Sequence, residues 1–173
     1  MGQTIARGMS DRPHQFYWAS QGRSEATAAN AAEFNMIDLD TSANILSDMC
    51  DIVFCIVRGG SVLDYAREAV KNNFSGIYVD GNGMWGEESE QELATILNDG
   101  GIEYVSAGLY GWPHPTHRKS VHQIYLSGNK REEIGSLFSN GYWQVEYVDD
   151  AKAVKRERNE RERAENIAKG LPI

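Results

Sequence analysis

The sequence predicts an α/β fold, a mostly parallel sheet with helices on its flanks. Three observations point there. Short runs rich in β-branched and aromatic residues alternate with helix-period segments along most of the chain, the pattern of strands joined by crossover helices. One run, "DIVFCIV" at 51–57, is apolar throughout after Asp51, as expected of a strand covered on both faces. The length of 173 residues suffices for one domain with a core of its own.

Taken in order, Gly2 to Ser10 is expected to be a helix, with Ile5, Ala6 and Met9 at helical spacing. Asp11-Arg12-Pro13 ends it, because the residue before proline avoids the α region. "HQFYWA" (14–19) is a strand and "SQGRS" (20–24) its loop. "EATAANAAEF" is a helix built on alanine, with Ser24 placed as its N-cap. "NMIDL" is a short strand and "TSANILSDM" a short helix. After the buried run and the turn "RGGS", "VLDYAREAVKNN" is amphipathic, with Val62, Leu63, Ala66 and Val70 on one face. "GIYVDGNG" is the next strand and loop, and "EESEQELATILND" is a helix ended by Gly100-Gly101. "IEYVSAGLYG" and "HQIYLSG" are strands joined by the Pro- and His-rich "WPHPTHRKSV". "REEIGSLFS" is a helix and "WQVEYV" the last strand. From Asp149 to Lys169 the chain is highly charged and helical. The division is therefore 1–148 for the α/β domain and 149–173 for a charged helix.

Composition narrows the function. A formal net charge of -8 argues against a protein that binds nucleic acid by general phosphate neutralisation. No run approaches the roughly 18 apolar residues of a membrane span, and no charged, then apolar, leader opens the chain. Cys50 and Cys55 read as reduced core thiols of a cytoplasmic protein, too far apart along a strand to bridge. His114, His117 and His122 are the residues a metal reading would need. Pro113 and Pro115 disfavour a helix that would align the first two, and no Cys or paired carboxylate stands at ligand spacing, so no metal is expected.

In an open α/β sheet, ligands bind outside the carboxyl ends of the strands. The loops there are "SQGRS", "VRGGS" (57–61), "DGNGMWG" and "GLYGWPHP". All carry glycine and polar groups, which suits close backbone approach to a ligand and equally suits ordinary turns.

These segments, in this order and spacing, resemble the nucleotide-binding domain of the 6-phosphogluconate dehydrogenase-like, or β-hydroxyacid dehydrogenase, family. The residues that carry the resemblance are "MGQTIARGM", "DIVFCIV", "YVDGNG", "GGIEYVSAGLYGWP" and "IYLSG". It implies a Rossmann-like sheet and NADP-dependent hydride transfer to or from a small hydroxy acid. Gly2 then matches the third glycine of G-x-G-x-x-G, and the amides of Gly2, Gln3 and their neighbours the remnant of a pyrophosphate site. The first strand and the phosphate loop would lie outside the chain, as would the helical domain that follows in relatives. The expectation is a fragment with little activity alone. A second copy or a partner chain could complete the sheet.

The resemblance also nominates residues. At the end of the second family strand, Ala19-Ser20 replace the acidic residue that reads a ribose hydroxyl. Arg23 and Ser24 just beyond suit a 2′-phosphate, hence NADP, with NAD as the alternative; an ordinary exposed Arg beside a cap is the plainer reading. Val57 would contact the cofactor, and Asn82 would bond nicotinamide ribose or substrate, or else shape a turn with Asp80. Tyr110, Gly111 and Trp112 match the substrate loop, with Tyr110 where many relatives have serine. Lys155 and Asn159, four residues apart on the charged helix, match a proton-exchanging lysine and a substrate-orienting asparagine; Lys152 is the rival alignment. The competing class is a non-catalytic nucleotide-binding or interaction module.

Overall fold

The computed structural model describes residues 1–11, 13–46, 49–57, 59–83, 86–111 and 122–170, without the side chain of Asn44. Its elements are α1 (Gly2–Gly8), β1 (Tyr17–Trp18), α2 (Glu25–Glu33), β2 (Ile37–Asp38), α3 (Ser42–Leu46), β3 (Ile52–Cys55), α4 (Val62–Lys71), β4 (Ile77–Asp80), α5 (Glu87–Asp99), β5 (Glu103–Tyr110), β6 (His122–Ser127), α6 (Arg131–Gly135), β7 (Trp143–Tyr147) and α7 (Ala151–Ala168). The architecture is α/β and Rossmann-like, with a mostly parallel sheet flanked by helices.

The strands form two sheets. β1 and β2 pair in parallel by themselves, and β3-β4-β5-β6-β7 form a five-stranded sheet in that order. Neighbours in the larger sheet are parallel except β5 and β6, which pair antiparallel from Ser106↔Ser127 to Tyr110↔Gln123. The link between Tyr110 and His122 is shorter than the dozen or more residues that a parallel crossover needs, so the chain returns beside its own strand.

Side chains alternate across the sheet as a period of two requires. Ile77, Val79, Val105, Ala107 and Leu109 join Ile5, Met9, Ile134, Phe138 and Trp143 in a core under α1 and α6. Tyr78 joins Leu46, Val62, Ala66, Leu93 and Leu97 in a second core under α3, α4 and α5. Trp143 ties the first core to the N-terminal helix, since its Nε1 donates to Thr4 O at 2.9 Å.

The apolar run at 51–57 behaves differently from its sequence pattern. Ile52, Val53 and Phe54 are only half-buried, and Cys55 alone is buried; the strand buried at every position is β4. β3 is the edge of its sheet, with no described strand on its outer side. Both cysteines are free thiols, Cys55 buried and Cys50 partly so.

Candidate functional site at the carboxyl ends of β4 and β5

The site is built from the loop after β4, the last residues of β5 and one face of α7. Helix α7 begins where Asp150 Oδ1 accepts from the backbone N–H of Lys152 and Ala153, at 2.9 and 2.8 Å, a capping arrangement that stabilises a helix start. The first turn packs directly on β5. Gly108 permits this, because a Cβ there would stand 2.4 Å from Ala151 O and 3.2 Å from Lys155 Cβ. At the far side, Arg156 donates to both carboxylate oxygens of Glu90 on α5, at 3.0 and 2.8 Å.

The first turn of α7 sends Lys152 into the interior, where it is 4% exposed. Its Nζ donates to Asp80 O, Asn82 O and Ala107 O at 3.1, 2.6 and 3.0 Å. It also lies 3.2 Å from Asp80 Oδ2, whose residue is 0% exposed. An ammonium has three N–H groups, and carbonyls take all of them. Asp80 Oδ2 accordingly receives no aligned hydrogen bond, and the contact is one of charge. The other oxygen, Oδ1, accepts from Asn82 N at 3.0 Å and from Asn82 Nδ2.

Asn82 is buried and fully engaged. Its Nδ2 also donates to Cys55 O, and its Oδ1 accepts from Val57 N at 2.7 Å. Val57 and Asn82, both nominated for cofactor contact, are thus bonded to each other and cross-link the ends of β3 and β4.

Lys155 stands three residues beyond Lys152, on the same side of α7. It is half-buried, and a Cβ built on Gly83 would come within 3.9 Å of its Nζ. Burial first, and then the positive charge of Lys152, lowers its pKa to about 8 against a weaker opposing pull from Asp80. Asn159 lies one turn further on, also half-buried. Next along this face, Arg158 stacks over the Tyr110 ring at 3.6 Å and donates to Tyr125 Oη at 2.6 Å. Tyr110 Oη donates to Glu162 Oε2 at 2.6 Å, so Tyr110 is turned toward α7. Burial and that acidic partner raise its pKa. Gly111 adopts φ +137, and a Cβ there would meet His122 Cδ2 at 2.7 Å. His122 is buried and stacked on Tyr142 at 4.6 Å. Trp112, His114 and His117 lie outside the described residues.

The other nominated residues lie at β1 and α1. Ser24 Oγ caps α2 by accepting from Thr27 N at 3.3 Å. Ser20 bonds the Asp38 carboxylate, which helps hold the Asp38 pKa below its usual value after the larger effect of the Asp40 N–H. Arg23 is exposed and makes no ion pair among the described residues. Gly2 is exposed, while Gln3 Nε2 donates to Glu33 Oε2 at 2.7 Å and so is drawn toward α2. Two open clefts occur elsewhere, about 410 Å³ along α4 and about 340 Å³ near His14 and Phe34. Neither reaches the strand ends, where a parallel sheet places its ligands.

No protein-family model matches the sequence, nor does any curated protein. Solved structures do. One is a conserved protein of unknown function with structural similarity to 3-hydroxyacid dehydrogenases, 24% identical over 90% of this chain and 58% of its own, TM-score 0.71. Another is an imine reductase from Myxococcus stipitatus in complex with NADP+, 15% identical over 99% of this chain and 64% of its own, TM-score 0.74. A V8 variant of that enzyme in complex with NAD+ is 17% identical over 100% of this chain and 64% of its own, TM-score 0.72. The chain shares their fold. It spans about three fifths of the length of each.

Sequence reasoning had Lys155 and Lys152 as rivals for one role, and the fold separates them by burial. It missed Arg158, whose neighbours on the helix are charged in the same way; no local signal distinguishes it.

Proposed function

We propose that the chain is the cofactor-binding part of an oxidoreductase that moves hydride between a nicotinamide, NADP in preference to NAD, and a small hydroxy acid. The observation that carries this reading is Lys155, a partly desolvated amine with its pKa lowered to about 8 beside Gly83. The structural neighbours that hold NAD+ or NADP+ support it.

The residues present fit a dinucleotide at both ends. Arg23 is an exposed guanidinium without an ion-pair partner among the described residues, and with Ser20 and Ser24 it would hold the ribose 2′-phosphate. At the nicotinamide end the surface is Gly83, where a Cβ would stand 3.9 Å from Lys155 Nζ. A bound nicotinamide supplies the hydride chemistry. Lys155 would take the proton of the substrate hydroxyl at Nζ in oxidation and return it in reduction; a base titrating near neutral pH is suited to both directions. Asn159, on the same side of the helix, would orient the substrate. Tyr110, Gly111 and Trp112 would flank it.

Titrating the purified chain with NADPH and NADH, followed by nucleotide fluorescence, tests the reading. Saturable binding is expected, and Arg23→Ala should weaken NADPH much more than NADH. Equal losses would show that Arg23 does not read the 2′-phosphate. The second reading, a non-catalytic nucleotide-binding or interaction module, is favoured by the internal engagement of Asn82 and by the outer edge of β3, which no described strand pairs with. A second copy or a partner chain pairing with that edge belongs to this reading. Absence of binding to either nucleotide would decide for it.

A further inference from the structure

We propose that Lys152 is a positioning residue for Lys155: it clamps the loop after β4 to α7 and holds a fixed positive charge beside the Lys155 amine. The catalytic purpose of this device rests on the oxidoreductase reading, whereas its test does not.

A buried ammonium is costly unless its charge and its donors are matched. An apolar side chain of similar length would fill the same space without that cost. Lys152 instead sends its donors to three carbonyls, Asp80 O, Asn82 O and Ala107 O. These belong to the carboxyl end of β4, the middle of β5 and the loop between β4 and Gly83. Asn82 O immediately precedes Gly83, the residue that Lys155 approaches. Lys152 and Lys155 are three residues apart on one helix, less than a full turn. The clamp therefore sets the distance between the Gly83 surface and the Lys155 amine.

The charges around Lys155 leave that of Lys152 prominent. From its own helix comes Lys152, and from β4 comes Asp80. Glu90 on α5 is held by Arg156, which also lies 3.9 Å from Asp150. Further along α7, Glu162 is engaged by Tyr110, and Arg158 by Tyr125. A like charge nearby disfavours the protonated amine, in the direction found for Lys155.

The experiment is an NMR titration of the Lys155 side chain in chain labelled at lysine, assigned by Lys155→Arg, together with amide hydrogen exchange over 81–83. It compares the unmodified chain with Lys152→Met, and Asp80→Asn with Lys152→Met/Asp80→Asn; the second comparison removes the Lys152 charge with no buried carboxylate left behind and remains testable where Lys152→Met does not fold. In each folded pair the loss of Lys152 should raise the Lys155 midpoint by about half a unit or more, and exchange over 81–83 should quicken. An unmoved midpoint, or unchanged exchange, between Asp80→Asn and the folded double variant overturns the proposal. NADPH titration of the same samples separates the two claims. A shifted midpoint without NADPH binding defeats the oxidoreductase reading alone, and an unmoved midpoint with NADPH binding intact defeats this one alone.

Discussion

Removing either member of the Lys152–Asp80 pair should destabilise the chain unequally, and removing both should restore most of the loss. Lys152→Met leaves Asp80, 0% exposed, as a buried carboxylate whose Oδ2 has no hydrogen bond and has lost its counter-charge. Breaking a buried pair in this way costs about 3–5 kcal/mol, a fifth or more of the roughly 5–15 kcal/mol that holds a domain together. Asp80→Asn should cost less. The ammonium keeps its three carbonyls, and the asparagine oxygen can still accept the two bonds from Asn82. The double variant retains no stranded charge and should come within about 1–2 kcal/mol of the unmodified chain, since apolar or neutral replacement of a buried pair is often near neutral. The assay is urea unfolding followed by tryptophan fluorescence. At a slope of about 2 kcal/mol per molar urea, Lys152→Met should lower the midpoint by about 2 M. A double-mutant cycle gives the coupling, expected at about 2 kcal/mol or more. Single losses that add to the double within about 0.5 kcal/mol would refute the account of Lys152 and Asp80 as one unit.

Three further outcomes are expected. Gly108→Ala forces a Cβ against Ala151 O at 2.4 Å and should cost about 1–3 kcal/mol by overpacking, read in the same urea assay; a neutral effect would mean that α7 does not pack on β5 as described. Lys155 has its pKa lowered from 10.5 to about 8 on folding, so its side chain binds more protons in the unfolded chain between those values and its contribution to stability should rise as pH climbs from about 8 to 10.5. Unfolding curves of the chain and of Lys155→Met across that window check this, because the chain should gain stability relative to the variant as pH climbs. Trp143→Phe removes the Nε1 bond to Thr4 O, a loss of about 0.5–1.5 kcal/mol seen as a lower urea midpoint; an unchanged midpoint would show that the tie between α1 and β7 contributes nothing.

Composition and periodicity by themselves determined the α/β class, the order of strands and helices and the charged terminal helix, because strand and helix periods are written locally in the spacing of apolar residues. Local chemistry likewise made Ser24 a cap and Gly100-Gly101 a stop, since capping needs only neighbouring atoms. What required the tertiary structure were the relations between distant segments. The apolar pattern of 51–57 says nothing of which side of β3 no described strand pairs with. The return of β6 antiparallel to β5 follows from how the chain closes after Tyr110. Lys152 and Lys155 sit in the same charged stretch with the same side chain. Only the packing of α7 on Gly108 sends one to carbonyls of β4, β5 and the loop before Gly83 and leaves the other at the Gly83 surface, because burial is a property of the assembled layers and not of the helix that bears the residue.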